Sequence, residues 1–185
     1  MIYNVTPEFE TTRLVASQWK VDFAEPAFEI YSDTEVTRFI GGMAVRDVDQ
    51  MRSRIGEIIE RNRNFPPGLG SYPMFLKSTG SLVGTALIKP LPDPTGKLTR
   101  DVEIGWHLSR RQWGRGYATE WGKKLMQIAF EELELPEVHA VIDPPNEKSK
   151  KVAERLGMEH LGQTTAYYHG EPIEHYRMRR MEWGG

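Results

Sequence analysis

The chain has 185 residues, 39% of them hydrophobic, 27% charged and 10% aromatic, with 24 basic against 26 acidic side chains for a net charge of −2. That length makes one domain spanning residues 1–185, with a sizeable core, the expectation, and the near-neutral balance argues against the basic footprint of a nucleic-acid binder. The sequence holds no cysteine, which excludes disulfides, thiolate metal sites and a cysteine nucleophile. Residues 1–8 lack the basic start and apolar stretch of a signal peptide, and no apolar run approaches the ~20 residues of a membrane span. The expectation is a soluble, cytoplasmic protein.

Periodicity and turn chemistry give the elements in chain order. Residues 13–18 read as a first strand. Asp22 is placed to cap a helix with Phe23, Ala27, Ile30 and Tyr31 on one face, and Asp33 restarts a short turn carrying Val36, Phe39 and Ile40. Asp47 is placed to cap another helix, with Val48, Met51, Ile55, Ile58 and Ile59 inward and its arginines outward. After a break at 64–68, strands over 72–77 and 81–89 are joined by Ser78-Thr79-Gly80. Residues 89–96, with Pro90, Pro92 and Pro94, read as an irregular loop.

A strand over 102–108 follows, then a helix over 116–133 whose apolar stripe is Trp121, Leu125, Ile128 and Ala129. A short strand over 138–142 leads to a helix over 146–156, which Gly157 is placed to stop. Residues 163–168 and 173–181 form a last hairpin around His169-Gly170. The order βααβββαβαββ implies a mixed sheet in an α/β or α+β domain.

The most informative stretch runs from a strand through Trp113-Gly114-Arg115-Gly116-Tyr117-Ala118-Thr119-Glu120 into a long helix. Glycines let a backbone approach a ligand closely, and a helix start offers unpaired N–H groups with a dipole that favours anions. Arg110, Arg111 and Arg115 add positive charge. This is a phosphate cradle in chemical terms; the plain alternative is a glycine turn with solvated arginines. The dinucleotide fingerprint needs glycine where Thr119 stands, and neither Gly96-Lys97-Leu98 nor Gly122-Lys123-Lys124 supplies a P-loop. The five histidines show no i, i+4 pairing, so no metal site is expected. There is no G-x-S-x-G elbow, and Tyr167, Tyr168 and Tyr176 read as packing residues.

Three pieces in order resemble one superfamily, the GNAT N-acetyltransferases, and within it the RimJ/RimL-like ribosomal-protein N-terminal acetyltransferases. Glu103-Ile104-Gly105-Trp106-His107-Leu108 is similar to the family's fourth strand. Trp113 to Glu120 resembles the acyl-CoA pyrophosphate loop, Q/R-x-x-G-x-G/A, at Gly116 and Ala118, with Trp113 where the pattern has Gln or Arg. Asn146-Glu147-Lys148-Ser149, followed by Arg155-Leu156-Gly157-Met158, resembles the family's N-x-x-S helix and R-L-G-F/M ending. The opening Thr11-Thr12-Arg13-Leu14 resembles the branch's T-x-R-L strand.

The resemblance implies a mostly antiparallel sheet with a splayed parallel strand pair, flanked by helices on both faces. It also implies acetyl-CoA as co-substrate, without a metal. Leu108, Trp113, Gly114, Arg115, Gly116, Tyr117, Ala118, Thr119 and Asn146 would then contact it, Asn146 through the pantetheine arm. As a residue, Asn146 also suits a helix cap. The acceptor would be a protein N-terminal α-amine or a small-molecule amine, set by residues 21–64 and 164–174. A homodimer is possible, and no membrane or nucleic-acid partner is implied.

Acetyl transfer needs the amine as free base, and with pKa values of ~8 for an α-amine and ~10.4 for lysine a nearby base helps at neutral pH. On a strand, Glu103, Gly105 and His107 share one face, and the glycine leaves room for a ligand. Glu103 is therefore the candidate base, the alternative being a structural carboxylate. Many relatives support the leaving thiolate with a tyrosine on the helix after the Asn. Val152 and Ala153 stand there in this chain, and Ser149 is the substitute that the branch suggests. The competing function on the same fold is a non-catalytic acyl-CoA sensor.

Overall fold

The computed structural model describes residues 8–41 and 44–184. The signal-peptide reading rests on residues 1–8, of which 1–7 lie outside the described residues. Among the described residues, eight strands make one sheet in the order β1-β2-β3-β4-β5-β6-β8-β7. They are β1 (Phe9–Glu10), β2 (Leu14–Ala16), β3 (Gly70–Leu76), β4 (Leu82–Pro92), β5 (Leu98–Leu108), β6 (Glu137–Ile142), β7 (Glu159–Thr164) and β8 (Ile173–Arg179). The sheet is mostly antiparallel, and β5 with β6 is the parallel pair, Glu103 opposite His139. Flanking helices are α1 (Ala24–Tyr31), α2 (Thr34–Thr37), α3 (Val48–Arg63), α4 (Tyr117–Gln127) and α5 (Glu147–Arg155). The mixed α/β architecture is the expected one. The chain divides into two compact units, Met1–Leu87 with Trp106–Trp121, and Ile88–Gly105 with Gly122–Gly185.

In the first unit the helical faces read from the sequence are the buried ones. Phe23, Ala27, Ile30 and Tyr31 of the α1 segment and Met51 and Ile55 of α3 join Val15, Trp19, Phe75 and Leu82 in one apolar cluster. Asp47 caps as expected, accepting from the backbone N–H of Gln50 at 2.7 Å, and Asp33, read as the start of a short turn, caps α2 by accepting from the N–H of Glu35 at 2.9 Å. Asp22 does not cap. It sits inside a 3₁₀ turn over Val21–Phe23, and Phe23 takes the cap position without a side-chain bond. The turn's own bond, from the Ala24 N–H to the Val21 carbonyl, satisfies one donor that a cap at Asp22 would have served. β4 passes very close to β5 at Gly84, where a Cβ would lie 1.9 Å from the His107 carbonyl oxygen.

The second unit holds the larger departures. The irregular loop expected over 89–96 is mostly strand: β4 continues through Pro90 to Pro92, and β5 begins at Leu98. Proline lacks only the N–H; its φ suits an extended chain and its carbonyl still accepts. The turn shrinks to Asp93–Lys97, closed by the Asp93 N–H on the Lys97 carbonyl at 2.8 Å. The last hairpin is also shifted. β7 ends at Thr164 because Glu159 to Thr164 align with Arg177 to Ile173 of β8, leaving Tyr167 and Tyr168 in the connection. The helix expected over 116–133 ends its α geometry at Gln127 and finishes as a wider π turn over Ile128–Glu132.

One face of these strands is apolar, with Val138, Ala140, Ile142, Tyr176 and Met178 buried. The registers put Glu103 beside His139 and His139 beside Arg177, so the other face is polar.

Candidate active site

The loop before α4 lies in the first unit. Gly114 and Gly116 take φ of +75° and +80°, a region that disfavours any side chain. A Cβ at Gly114 would meet nothing within 4 Å, and one at Gly116 only an Arg13 guanidinium nitrogen at 3.5 Å, so the backbone here is uncovered. The helix that follows leaves its first N–H groups without intrahelical partners.

Arg13 braces the loop from outside. Its guanidinium donates to the Arg115 carbonyl at 3.0 Å and to Glu120 at 2.6 Å, and lies 4.4 Å from the centre of the Tyr117 ring. Glu120 also accepts from the Thr11 hydroxyl at 2.6 Å and the Arg13 N–H at 2.9 Å. Burial works to raise the Glu120 carboxyl, but these donors outweigh it and hold it below the usual carboxylate range. Trp113 packs against the apolar cluster and its indole N–H donates to the Leu108 carbonyl at 2.9 Å. Its side chain therefore joins the turn to the end of β5.

Glu103 lies in the second unit and is only 4% exposed. Its Oε1 takes an ion pair from Lys89 Nζ at 2.5 Å and a hydrogen bond from the Tyr168 hydroxyl. Lys89 also donates to the Tyr168 oxygen at 3.1 Å. Two residues earlier on β5, Asp101 accepts from the Tyr167 hydroxyl at 2.8 Å. Burial first, then Asp101, pushes the Tyr167 phenol up.

On the neighbouring strands of the same face, His139 Nδ1 lies 3.0 Å from His175 Nε2. Burial is the main cause holding both imidazoles below their ordinary value, against the raising effect of Asp101 and Glu137. Both are neutral at neutral pH, and one ring N–H donates to the other ring's lone pair.

Asn146 stands at the start of α5 with its side-chain oxygen accepting from the Ser149 N–H at 3.2 Å. The cap therefore uses Oδ1. The two amide hydrogens remain the group's capacity to donate elsewhere. Among the described residues, no group of three or more His, Asp or Glu is placed to hold a metal ion. No described helix is long and apolar enough to cross a membrane.

Lys89 escapes the sequence reading, and Tyr167 and Tyr168, expected there as packing residues, hydrogen-bond Asp101 and Glu103 instead. Counting back from the Asp93–Lys97 turn sets Lys89 across from Asp101 and diagonal to Glu103, but only once the strand is allowed to pass its prolines.

The acetyltransferase (GNAT) domain family matches residues 13–159. The uncharacterized N-acetyltransferase p20 of Bacillus licheniformis is 28% identical over 152 residues, 82% of each chain. The FsC-acetyl coenzyme A-N(2)-transacetylase of Aspergillus fumigatus is 32% identical over 126 residues, 63% of this chain and 53% of that one. Among solved structures, the RimL ribosomal L7/L12 alpha-N-protein acetyltransferase in complex with coenzyme A superposes with a TM-score of 0.73 at 13% identity, covering 94% of this chain and 98% of that one.

The chain belongs to the GNAT acetyltransferase family. Its activity is N-acetyl transfer, on a fold that uses acetyl-CoA, and its structural neighbours include the RimL-like branch.

Proposed function

We propose that this chain, as one domain over residues 1–185, moves an acetyl group from acetyl-CoA directly to a primary amine. A protein N-terminal α-amine is the leading acceptor and a small-molecule amine the other. The observation that carries the reading is the loop with left-handed Gly114 and Gly116 at the start of α4, open on its backbone and braced from Arg13. The residues Trp113 to Thr119 form the pyrophosphate end of the site, with backbone N–H groups as the anion donors, and Leu108 closes the strand beside which the pantetheine arm runs. Asn146 donates its amide hydrogens to the pantetheine while its oxygen keeps the cap.

The amine nitrogen attacks the thioester carbonyl carbon, the C–N bond forms and the C–S bond breaks. Glu103 takes the proton that the amine loses, directly or through one water, and the Ser149 hydroxyl donates a hydrogen bond to the departing thiolate. A cytoplasmic location and a homodimer belong to the same reading.

The test is thiol release from acetyl-CoA over a panel of primary amines and short peptides with free N-termini. Turnover dependent on one class of amine is expected. Tight acetyl-CoA binding in calorimetry with no turnover across the panel would overturn the reading.

A further inference from the structure

Tyr167 and Tyr168 are neighbours in the chain, yet their hydroxyls reach Asp101 and Glu103, which are two apart on β5 and so on one face of it. An extended backbone would send successive side chains to opposite sides. The alternation is broken because Tyr168 has a φ of +55°, a region that a bulky residue occupies only where its surroundings over-determine it. What holds it is visible: its N–H donates to the Pro92 carbonyl at 2.9 Å, its hydroxyl donates to Glu103, and Lys89 lies 3.1 Å from its oxygen and 5.3 Å from its ring centre.

We propose that Tyr168 is a positioning residue for Glu103, closing a ring of Tyr168, Lys89 and Glu103 in which both bonds to the carboxylate converge on Oε1. This inference rests on Glu103 being the base of the proposed acetyl transfer. With Oε1 held by two donors, the carboxylate plane is set and Oε2 is the atom that meets the amine. The strained backbone serves that purpose: it aims the hydroxyl at β5 while the Tyr167 bond to Asp101 and the Tyr168 N–H bond to Pro92 hold the connection in place. Loop attachment and carboxylate positioning are thus made by different atoms and can be separated.

The experiment is a double-mutant cycle with Tyr168→Phe and Glu103→Gln, measured with acetyl-CoA and the panel amine that the parent acetylates fastest. Tyr168→Phe is expected to lower kcat by about 10- to 150-fold, the range for a hydrogen bond to a charged group, with the KM for acetyl-CoA unchanged. In the Glu103→Gln background it should cost less than about twofold. Tyr168→Asn, which tolerates the left-handed backbone, should show the same kcat loss. Tyr167→Phe, which loosens the connection without touching Glu103, should raise the KM for the amine and leave kcat within about twofold. Parental turnover in Tyr168→Phe, additive losses in the cycle, or an equal kcat loss in Tyr167→Phe would each overturn the positioning role while leaving acetyl transfer intact. Parental turnover in Glu103→Gln would remove the base assignment and this inference together.

Discussion

The loop from Trp113 to Thr119 and the carboxylate of Glu103 are organised in contrasting ways. The loop offers backbone: its glycines are bare, and the side chains that stiffen it come from Thr11, Arg13 and Glu120 outside the turn. Glu103 offers a side chain, 4% exposed and gripped by the side chains of Lys89 and Tyr168. Anion binding by a helix start needs only correct φ and ψ and an open approach, whereas proton transfer needs one oxygen at one place. Changes that disturb backbone should therefore damage binding at the loop, and changes of a few atoms should damage turnover at the carboxylate.

The largest effect is expected at Glu103. A general base contributes ~10²–10⁴-fold, so Glu103→Gln should lower kcat within that range while calorimetric acetyl-CoA affinity stays parental. The loss should narrow as pH rises, because more of the amine is then already deprotonated; a pH-independent loss would mean that Glu103 acts in some other way.

Ser149→Ala comes next. A hydrogen bond to a developing charge is worth about 1.5–3 kcal/mol, so kcat should fall roughly 10- to 150-fold, and by the same factor across the range where the amine titrates. The two variants are distinguished by pH profile, and identical profiles would sink the division of roles between them.

At the loop, Gly116→Val forces a β-branched residue to adopt a φ of +80°. Acetyl-CoA affinity should drop by an order of magnitude or more, with the far-ultraviolet spectrum retained. If titration calorimetry returns parental affinity, the loop is not the pyrophosphate site.

The smallest effect concerns the brace. The Glu120 carboxyl is held below its ordinary value, so its stabilising contribution is fully present above the unfolded carboxylate pKa and is lost as pH falls through the folded one. Acetyl-CoA affinity should weaken on acidification along that limb, and Glu120→Gln should show a few-fold weaker affinity whose acid limb is flatter. An unaltered acid limb would detach Glu120 from the binding loop.

The same contrast explains what could be read from residue order. The glycine turn at Gly116 and the cap at Asn146 are legible because backbone chemistry imposes local spacing: a helix start and a cap each declare themselves within four residues, whereas the roles proposed for Ala118 and Ser149 come from the family resemblance. The cap at Asn146 and the helix faces around Phe23 and Met51 are present as read. Lys89 and Tyr168 are not local to Glu103; they meet it across a hairpin and from the connection after β7, 65 residues later in the case of Tyr168. The prolines at 90 and 92 hid the first, since they suggest a break where the strand continues. The positive φ of Tyr168 hid the second, since nothing in a Tyr-Tyr pair announces a left-handed residue.

The close approach of β4 to β5 at Gly84 has a consequence for inheritance. Any amino acid reached from a glycine codon by one base change adds a Cβ, and here that atom would fall 1.9 Å from the His107 carbonyl. Descendants of this gene are therefore held to glycine at position 84 by backbone contact alone. A glycine kept at that place in related genes would thus record the cost of two strands touching, and a search for catalytic positions by invariance alone would mistake it for chemistry.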